Sequence, residues 1–198
     1  MWEDRFNRPD YLFGTAPAQF LTRRAEWFAP GQSVLSIAEG EGRNAVWLAQ
    51  QGLDVTGVEY APSAIAKAKA LAVKAGVSPT FLQADLFDWV WPEAAFDIVL
   101  GVFIQFVGPE DRTTLFDHMK RAVRPGGLIM LHGYTPKQLD YGTGGPKAEE
   151  NLYTEARLTA LFEGWDIALC DAYEAELNEG EGHSGRSALL DFIARRPG

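Results

Sequence analysis

Between an apolar run that ends near Ile37 and a helical pattern that begins at Arg43, the chain reads Ala38-Glu39-Gly40-Glu41-Gly42-Arg43-Asn44-Ala45. Glycines at such a strand-to-helix turn let backbone amides approach a ligand at the positive end of the helix. Nineteen residues after Gly40 comes Glu59, at the close of the next apolar run. A carboxylate there can accept both hydroxyls of a ribose through charge-assisted bonds. The spacing predicts an adenosine-type site. Gly40, Gly42 and Ala45 also fit the G-x-G-x-x-G/A pattern of dinucleotide binding. Against that pattern, Glu39 and Glu41 place two carboxylates where a pyrophosphate would lie. At an effective dielectric near 20, unit charges ~4 Å apart interact by about 4 kcal/mol. The loop therefore disfavours an anionic bridge and suits a cationic ligand.

Further along, Gln83-Ala84-Asp85-Leu86 closes a third apolar run. Asp85 can accept from an adenine amino group while the Leu86 amide donates to a ring nitrogen. Gln105 and Tyr134 follow the fourth and fifth runs, at the edge where open α/β sheets take their ligands. With Tyr11, Phe13, Tyr141 and His183 they form the candidate substrate-side set. His183 lies in Gly180-Glu181-Gly182-His183-Ser184-Gly185, a loop whose glycines allow unusual backbone angles, and its imidazole could act as a base or touch substrate. His132 is read as a satisfied core histidine and His118 as a surface one. The three histidines lack metal-ligand spacing, so no metal is expected.

These residues need a scaffold, and the pattern supplies one. Apolar runs at 33–38, 55–60, 80–84, 96–103 and 128–131 read as strands. Helical spacing covers 43–51, 63–75 with Ser63 as a cap, and 110–123. Alternation of the two predicts right-handed crossovers and a parallel sheet. One more helix is expected near 154–162. Late strands at 165–173 and 187–194, separated by the polar stretch 178–185, imply an antiparallel pair at one edge. The expected fold class is α/β: a doubly wound, mostly parallel, seven-stranded Rossmann-like sheet with an antiparallel strand at one edge. A chain of 198 residues suits a single domain. Within it, 31–134 would hold the binding core and 135–198 the substrate-side loops and edge strands. Residues 1–30 carry Trp2, Phe6, Tyr11, Phe13, Phe20, Trp27 and Phe28, so much aromatic surface that it must be buried. Either a helix packs on the sheet, or residues 2–14 fold over a ligand as a lid.

A formal charge of -9 argues against nucleic acid or anionic lipid as partner. Lys67, Lys69 and Lys74 fall on a helical pattern between alanines and read as a solvated face. Cys170 is the single cysteine, which rules out an internal disulfide and a cysteine-rich zinc site. No stretch approaches the ~20 apolar residues of a membrane span, and the amino terminus is charged at once. A cytoplasmic protein is expected.

From 33 to 135 the sequence resembles a class I S-adenosylmethionine-dependent methyltransferase. The resemblance is carried by VLSIAEGEGRNAVWLA, VTGVEYAPSAIAKAKALA, FLQADL, FDIVLGVF and VRPGGLIML, all in family order. WEDRFNRPDYLFGTAPAQFL and YGTGGP resemble the branch related to tellurite-resistance and thiopurine methyltransferases. The resemblance implies S-adenosylmethionine as cofactor and S-adenosylhomocysteine as product. A sulfonium and an ammonium against one carboxylate are the charges an acidic loop suits. By the resemblance, Glu39, Gly40 and Gly42 would contact the methionine part, Glu59 and Tyr60 the ribose and adenine edge, and Ala84, Asp85 and Leu86 the adenine. Val102 would lie under the methionine chain. Ser36 stands where an Asp is common, and Ala38 and Glu39 replace a usual Gly and a small residue. Glu39 is expected to supply the missing carboxylate to the ammonium.

The implied activity is in-line methyl transfer to a small-molecule thiol, chalcogen or oxygen nucleophile. A thiolate needs only access, whereas a hydroxyl needs its proton removed. A peptide or protein carboxylate as acceptor, a non-catalytic S-adenosylmethionine-binding module, and an NAD-dependent dehydrogenase stay open as alternatives. Gly101-Val102-Phe103-Ile104-Gln105-Phe106 lacks the Asn/Asp-Pro-Pro-aromatic pattern of nucleic-acid amino-methylation. Oligomeric state is not legible.

Overall fold

The computed structural model describes residues 2–198. Among them, seven strands make one sheet: β1 (Ser33–Ile37), β2 (Asp54–Glu59), β3 (Thr80–Gln83), β4 (Phe96–Val102), β5 (Val123–Tyr134), β6 (Asp166–Asn178) and β7 (Ser184–Arg195). Their order is β3-β2-β1-β4-β5-β7-β6. The first five are parallel where paired, and β7 runs antiparallel to both β5 and β6. The reversed strand thus lies one place inside the edge, which β6 occupies. Strands covered on both faces need unbroken apolar runs, and Val34, Leu35 and Ile37 or Ile98, Val99 and Leu100 meet that demand at 1% exposure or less.

The chain divides into two compact units: residues up to Val90 together with Glu179–Gly182, and Trp91–Asn178 together with His183–Gly198. In the first, α1 (Trp2–Phe6) and α2 (Gln19–Arg23) precede β1, α3 (Arg43–Gln50) follows the glycine turn, and α4 (Pro62–Ala75) follows β2. The expected Ser63 cap is not used. Pro62, pre-set for the first helical turn, starts α4 one residue earlier, and the Ser63 amide donates instead to Glu3 of α1 at 3.1 Å. That contact, and a cluster of Phe6, Leu12, Ala61 and Ala64 flanked by Trp2 and Phe13, seat α1 on α4. So the amino-terminal segment packs as a short helix on α4 rather than on the sheet, while Leu12 and Phe13 bond to side chains of the glycine turn.

The second unit holds β4 to β7 with α5 (Pro109–Ala122), α6 (Gln138–Tyr141) and α7 (Glu155–Leu161). Thr154 caps α7 by accepting from the Arg157 amide at 3.1 Å. Phe162 packs at tilted angles between Phe116 and Phe192. The late strands are longer than their apolar cores: the β6–β7 ladder runs from Asp166↔Arg195 to Asn178↔Ser184. Residues 174–178, three of them polar, join because ladder hydrogen bonds satisfy the backbone whatever the side chains.

Candidate functional site

In the first unit, the glycine turn is built around two buried carboxylates with different jobs. Glu39 is 6% exposed and folds back over β2. Gly57, opposite Ser36 in the β1–β2 register, makes the room: a Cβ there would lie 3.0 Å from Glu39 Cγ. Glu39 Oε2 accepts from the Ser36 hydroxyl, and Oε1 accepts from the Ala45 amide in the first turn of α3 at 2.7 Å. Glu39 therefore supplies both the carboxylate absent at position 36 and the cap that α3 lacks at Gly42. Burial pushes its carboxyl up to about 7. Hydrogen bonds from Ser36 and Ala45 and the Arg43 charge pull the other way, and Glu59 adds a smaller upward push.

Glu41, 3% exposed, faces the amino-terminal segment. Its Oε2 accepts from the Leu12 amide at 2.8 Å and its Oε1 pairs with Lys67 at 2.6 Å. This revises the sequence picture twice. Lys67 is no idle solvated base, since it also donates to the Asp10 carbonyl at 2.7 Å. Nor is the turn an open acidic patch, because Glu41 is already neutralised and Glu39 is only partly ionised near neutrality. Arg43 completes the clamp. It pairs with Glu179 at 2.7 Å, both nearly buried, and donates to the Phe13 carbonyl at 3.2 Å, while Glu179 also accepts from the Gln19 amide at 2.8 Å. Sequence reasoning missed this pairing because 136 residues separate its members.

Glu59 ends β2 at 6% exposure, with Oε2 accepting from the Gly40 amide and Oε1 from the Ala61 amide, each at 2.9 Å. Burial raises its pKa, and the bonds from Ala61, Gly40 and Tyr60 act against that. Gly42 holds φ +89 and a Cβ on it would lie 2.6 Å from Ala68 Cβ, so glycine is what lets α3 approach α4. Tyr60 is 60% exposed and Leu86 is buried. Ala84 donates its amide to the Glu59 carbonyl at 3.0 Å. Asp85, at the surface, accepts from the Phe87 amide at 2.9 Å. The structure thus gathers Glu39, Gly40, Gly42 and Glu59 in one bonded turn, with Ala84 tied to the end of β2.

Tyr11 does not join them. Its hydroxyl donates to the Lys67 carbonyl at 3.2 Å and its ring packs beside Val46, Leu71 and Ala72. Phe13 packs instead with Trp2 and Phe6, at ring separations of 6.4 and 6.2 Å.

In the second unit, Phe103 follows β4 at φ +56, a left-handed conformation unusual for an aromatic residue. Its ring touches Tyr134 at 4.8 Å and His183 at 4.0 Å between centroids. Tyr134 and His183 are buried at 1% and 8%. Gln105 braces the backbone at the end of β5. Its side-chain nitrogen donates to the Tyr134 carbonyl at 2.8 Å, and its side-chain oxygen accepts from the Tyr134 amide at 2.6 Å. Tyr141 is tied to Glu174 at 2.6 Å. Val102, half-buried, ends β4 opposite His132. His132 is buried as expected, but its Nδ1 lies 2.7 Å from Asp191 Oδ1, a partner the sequence reading did not name. The signal was present: each is the one strongly polar residue in an apolar strand run. His118 departs from the surface expectation, half-buried and stacked on Trp91 at 5.5 Å. Among the described residues no group of three or more His, Cys, Asp or Glu could hold a metal, and no helix is long and apolar enough to cross a membrane.

A mostly parallel sheet with buried carboxylates at or just after the ends of its first two strands, beside a glycine turn, has a Rossmann-like fold. Residues 34–127 match the methyltransferase domain family. An uncharacterized methyltransferase of Synechocystis sp. is 32% identical over 104 residues, 52% of this chain and 47% of that protein. The demethylmenaquinone methyltransferase of Thermus thermophilus is 30% identical over 105 residues, again 52% and 47%. This chain spans about half the length of those relatives. Among solved structures, one described for the conversion of a disulfide bond into a thioacetal group during echinomycin biosynthesis has TM-score 0.78 at 21% identity, covering 96% of this chain and 85% of that one. TehB from Haemophilus influenzae has TM-score 0.74 at 20% identity, covering 98% and 67%. Over 34–127 the chain is thus similar to methyltransferases, and its fold is that of the solved methyltransferase structures.

Proposed function

We propose that this protein transfers the methyl group of S-adenosylmethionine to a small-molecule acceptor and releases S-adenosylhomocysteine. The observation that carries the reading is Glu59. Backbone amides, Gly40 and Ala61 among them, hold its carboxylate at the end of β2, where it can accept a ribose hydroxyl through a charge-assisted bond. The donor set also fits the rest of the cofactor. Glu39 offers a carboxylate to the ammonium, the glycine turn offers backbone amides, and Tyr60, Ala84, Asp85 and Leu86 frame an adenine, with Val102 assigned to the methionine chain. The sulfonium supplies an already activated methyl carbon, so the protein's work is to orient the acceptor and exclude water. Buried Tyr134 and His183 and half-buried Phe103 form a cluster of rings in mutual contact, chemistry suited to a small flat or apolar acceptor.

Calorimetric titration with S-adenosylhomocysteine tests the cofactor assignment. Glu59→Gln combined with Asp85→Asn should weaken binding at least tenfold; unchanged affinity would remove the pocket. His183→Ala should lower turnover while S-adenosylhomocysteine affinity holds. Turnover equal to wild type would take His183 out of the acceptor site.

A further inference from the structure

In the second unit, two guanidiniums gather around a buried phenol without a carboxylate to neutralise them. Arg112, in the first turn of α5, is 6% exposed, and its Nη1 donates to the Glu150 carbonyl at 2.6 Å. Arg157, half-buried on α7, donates its Nη1 to the Leu152 carbonyl. Tyr153 follows Leu152 and is 0% exposed. Its ring lies 6.3 Å from Phe116, one turn beyond Arg112 on α5, and fits over Gly133 of β5, where a Cβ would stand 2.9 Å from Tyr153 Cε2. Arg112 is near enough to feel the charge of Arg157 and to act on the Tyr153 hydroxyl. Among the described residues neither guanidinium forms an ion pair, and Arg112 Nε and the Tyr153 hydroxyl are buried with no hydrogen-bond partner. The chain has 27 Asp and Glu against 18 Lys and Arg, so a counter-charge was the easier residue to supply. Two desolvated like charges and two unsatisfied polar atoms all act against folding.

We infer that Arg112, Arg157 and Tyr153 form a binding site for the carboxylate of a small organic acid. Bracing the Glu150 carbonyl spends one N–H of the five on Arg112, and a lysine or glutamine would do as much. What a guanidinium alone adds is the edge made by Nε and Nη2, two parallel N–H groups spaced to meet the two oxygens of a carboxylate. On Arg112 that edge is the one left over, since Nη1 faces Glu150. Burial, and after it the charge of Arg157, hold the Arg112 pKa below its ordinary value, but a guanidinium stays charged near neutrality. Burial pushes the Tyr153 hydroxyl up, so it keeps its proton and stands ready to donate. One carboxylate would therefore accept from Arg112 Nε, Arg112 Nη2 and the Tyr153 hydroxyl, and its charge would offset the repulsion between the two arginines. Arg157 is the least buried of the three and lies on the solvent side. The site falls wholly within the second unit and stands whether or not the proposed function does.

Proton–nitrogen spectra of arginine-labelled full chain, titrated with sodium acetate while sodium chloride holds the ionic strength constant, read the Arg112 Nε–H directly. Its resonance should move and saturate with a dissociation constant on the order of 1–10 mM. Acetamide, of the same shape and without the charge, should leave it in place. Inorganic phosphate, titrated in parallel, should bind more weakly than acetate. Tyr153→Phe keeps the ring and deletes only an unpartnered hydroxyl, so the variant should be as stable as wild type and bind acetate about threefold to tenfold more weakly. Arg112→Lys keeps a charge without the two-donor edge and should weaken acetate about tenfold or more, and Arg157→Gln about threefold. If Arg112→Lys fails to fold, the comparison rests on Tyr153→Phe and on the melting temperature, which acetate should raise in wild type more than in Tyr153→Phe. The inference is overturned by an Arg112 Nε–H that ignores acetate, that shifts without saturating, or that answers acetamide equally. Tighter binding of phosphate, or unchanged acetate affinity in Tyr153→Phe or Arg112→Lys, overturns it as well.

Discussion

Replacing Glu39 by glutamine should remove a large part of the pH dependence of this protein's stability. The Glu39 carboxyl titrates at about 7, against 4.5 ordinarily, chiefly because it is buried. An acid with a raised pKa keeps its proton in the folded chain where the unfolded chain has already lost it. Folded protein then binds more protons between the two values, so stability falls as pH climbs from about 4.5 to about 7 and levels off above. At 1.36 kcal/mol per pH unit, that shift corresponds to about 3 kcal/mol. Glutamine preserves the local bonding, since its carbonyl can accept from Ala45 and its amide can donate to Ser36, but it does not ionise. Urea unfolding of both proteins at pH 5 and pH 8 supplies the measurement. Wild type should lose about 2.5 kcal/mol more than the variant between the two conditions, while Glu59, present in both, cancels in the comparison. Equal pH slopes would refute the reasoning.

Two further substitutions probe the frame around the turn. Gly42→Ala forces a left-handed alanine at φ +89 against Ala68 at 2.6 Å; it should cost about 3 kcal/mol and lower the melting temperature by roughly 6–12 °C, read by calorimetry. Glu41→Gln removes the charge that holds the Leu12 amide and Lys67; with a loss of about 2 kcal/mol, hydrogen exchange at Leu12 should accelerate roughly 30-fold while exchange in β1 stays unchanged.

Most of the scaffold was legible because it is written locally. The five parallel strands announce themselves as short apolar runs, and the turns between them carry glycines whose job is visible in the residue itself. The spacing from Gly40 to Glu59 survives as a direct bond, Gly40 amide to Glu59 carboxylate, so the motif was reporting a physical contact. What was misread depends on distance along the chain. Glu41 looked like part of a ligand-facing acidic patch because nothing near it in sequence reveals Lys67 or the Leu12 amide as partners. Gln105 and Tyr134 stood out singly as strand-end residues, but one amide side chain holds both backbone atoms of the other. The Ser63 cap failed for a local reason, Pro62 being the stronger helix start.

The backbone itself marks where each unit departs from economical folding. Ala38 and Phe103 take left-handed angles, φ +47 and +56, and each is the residue that directly follows a strand, β1 in one case and β4 in the other. A glycine at Ala38 would relieve that strain. At both positions the unusual angle directs a functional side chain. From Ala38 the chain turns so that Glu39 reaches back to Ser36 and Ala45, and from Phe103 an aromatic ring reaches His132 and His183. Strain of this kind costs of order 1–3 kcal/mol at each site and is kept only where neighbours over-determine it. In each unit the strain lies at a strand end, Ala38 beside the buried Glu39 and Phe103 against the buried His132.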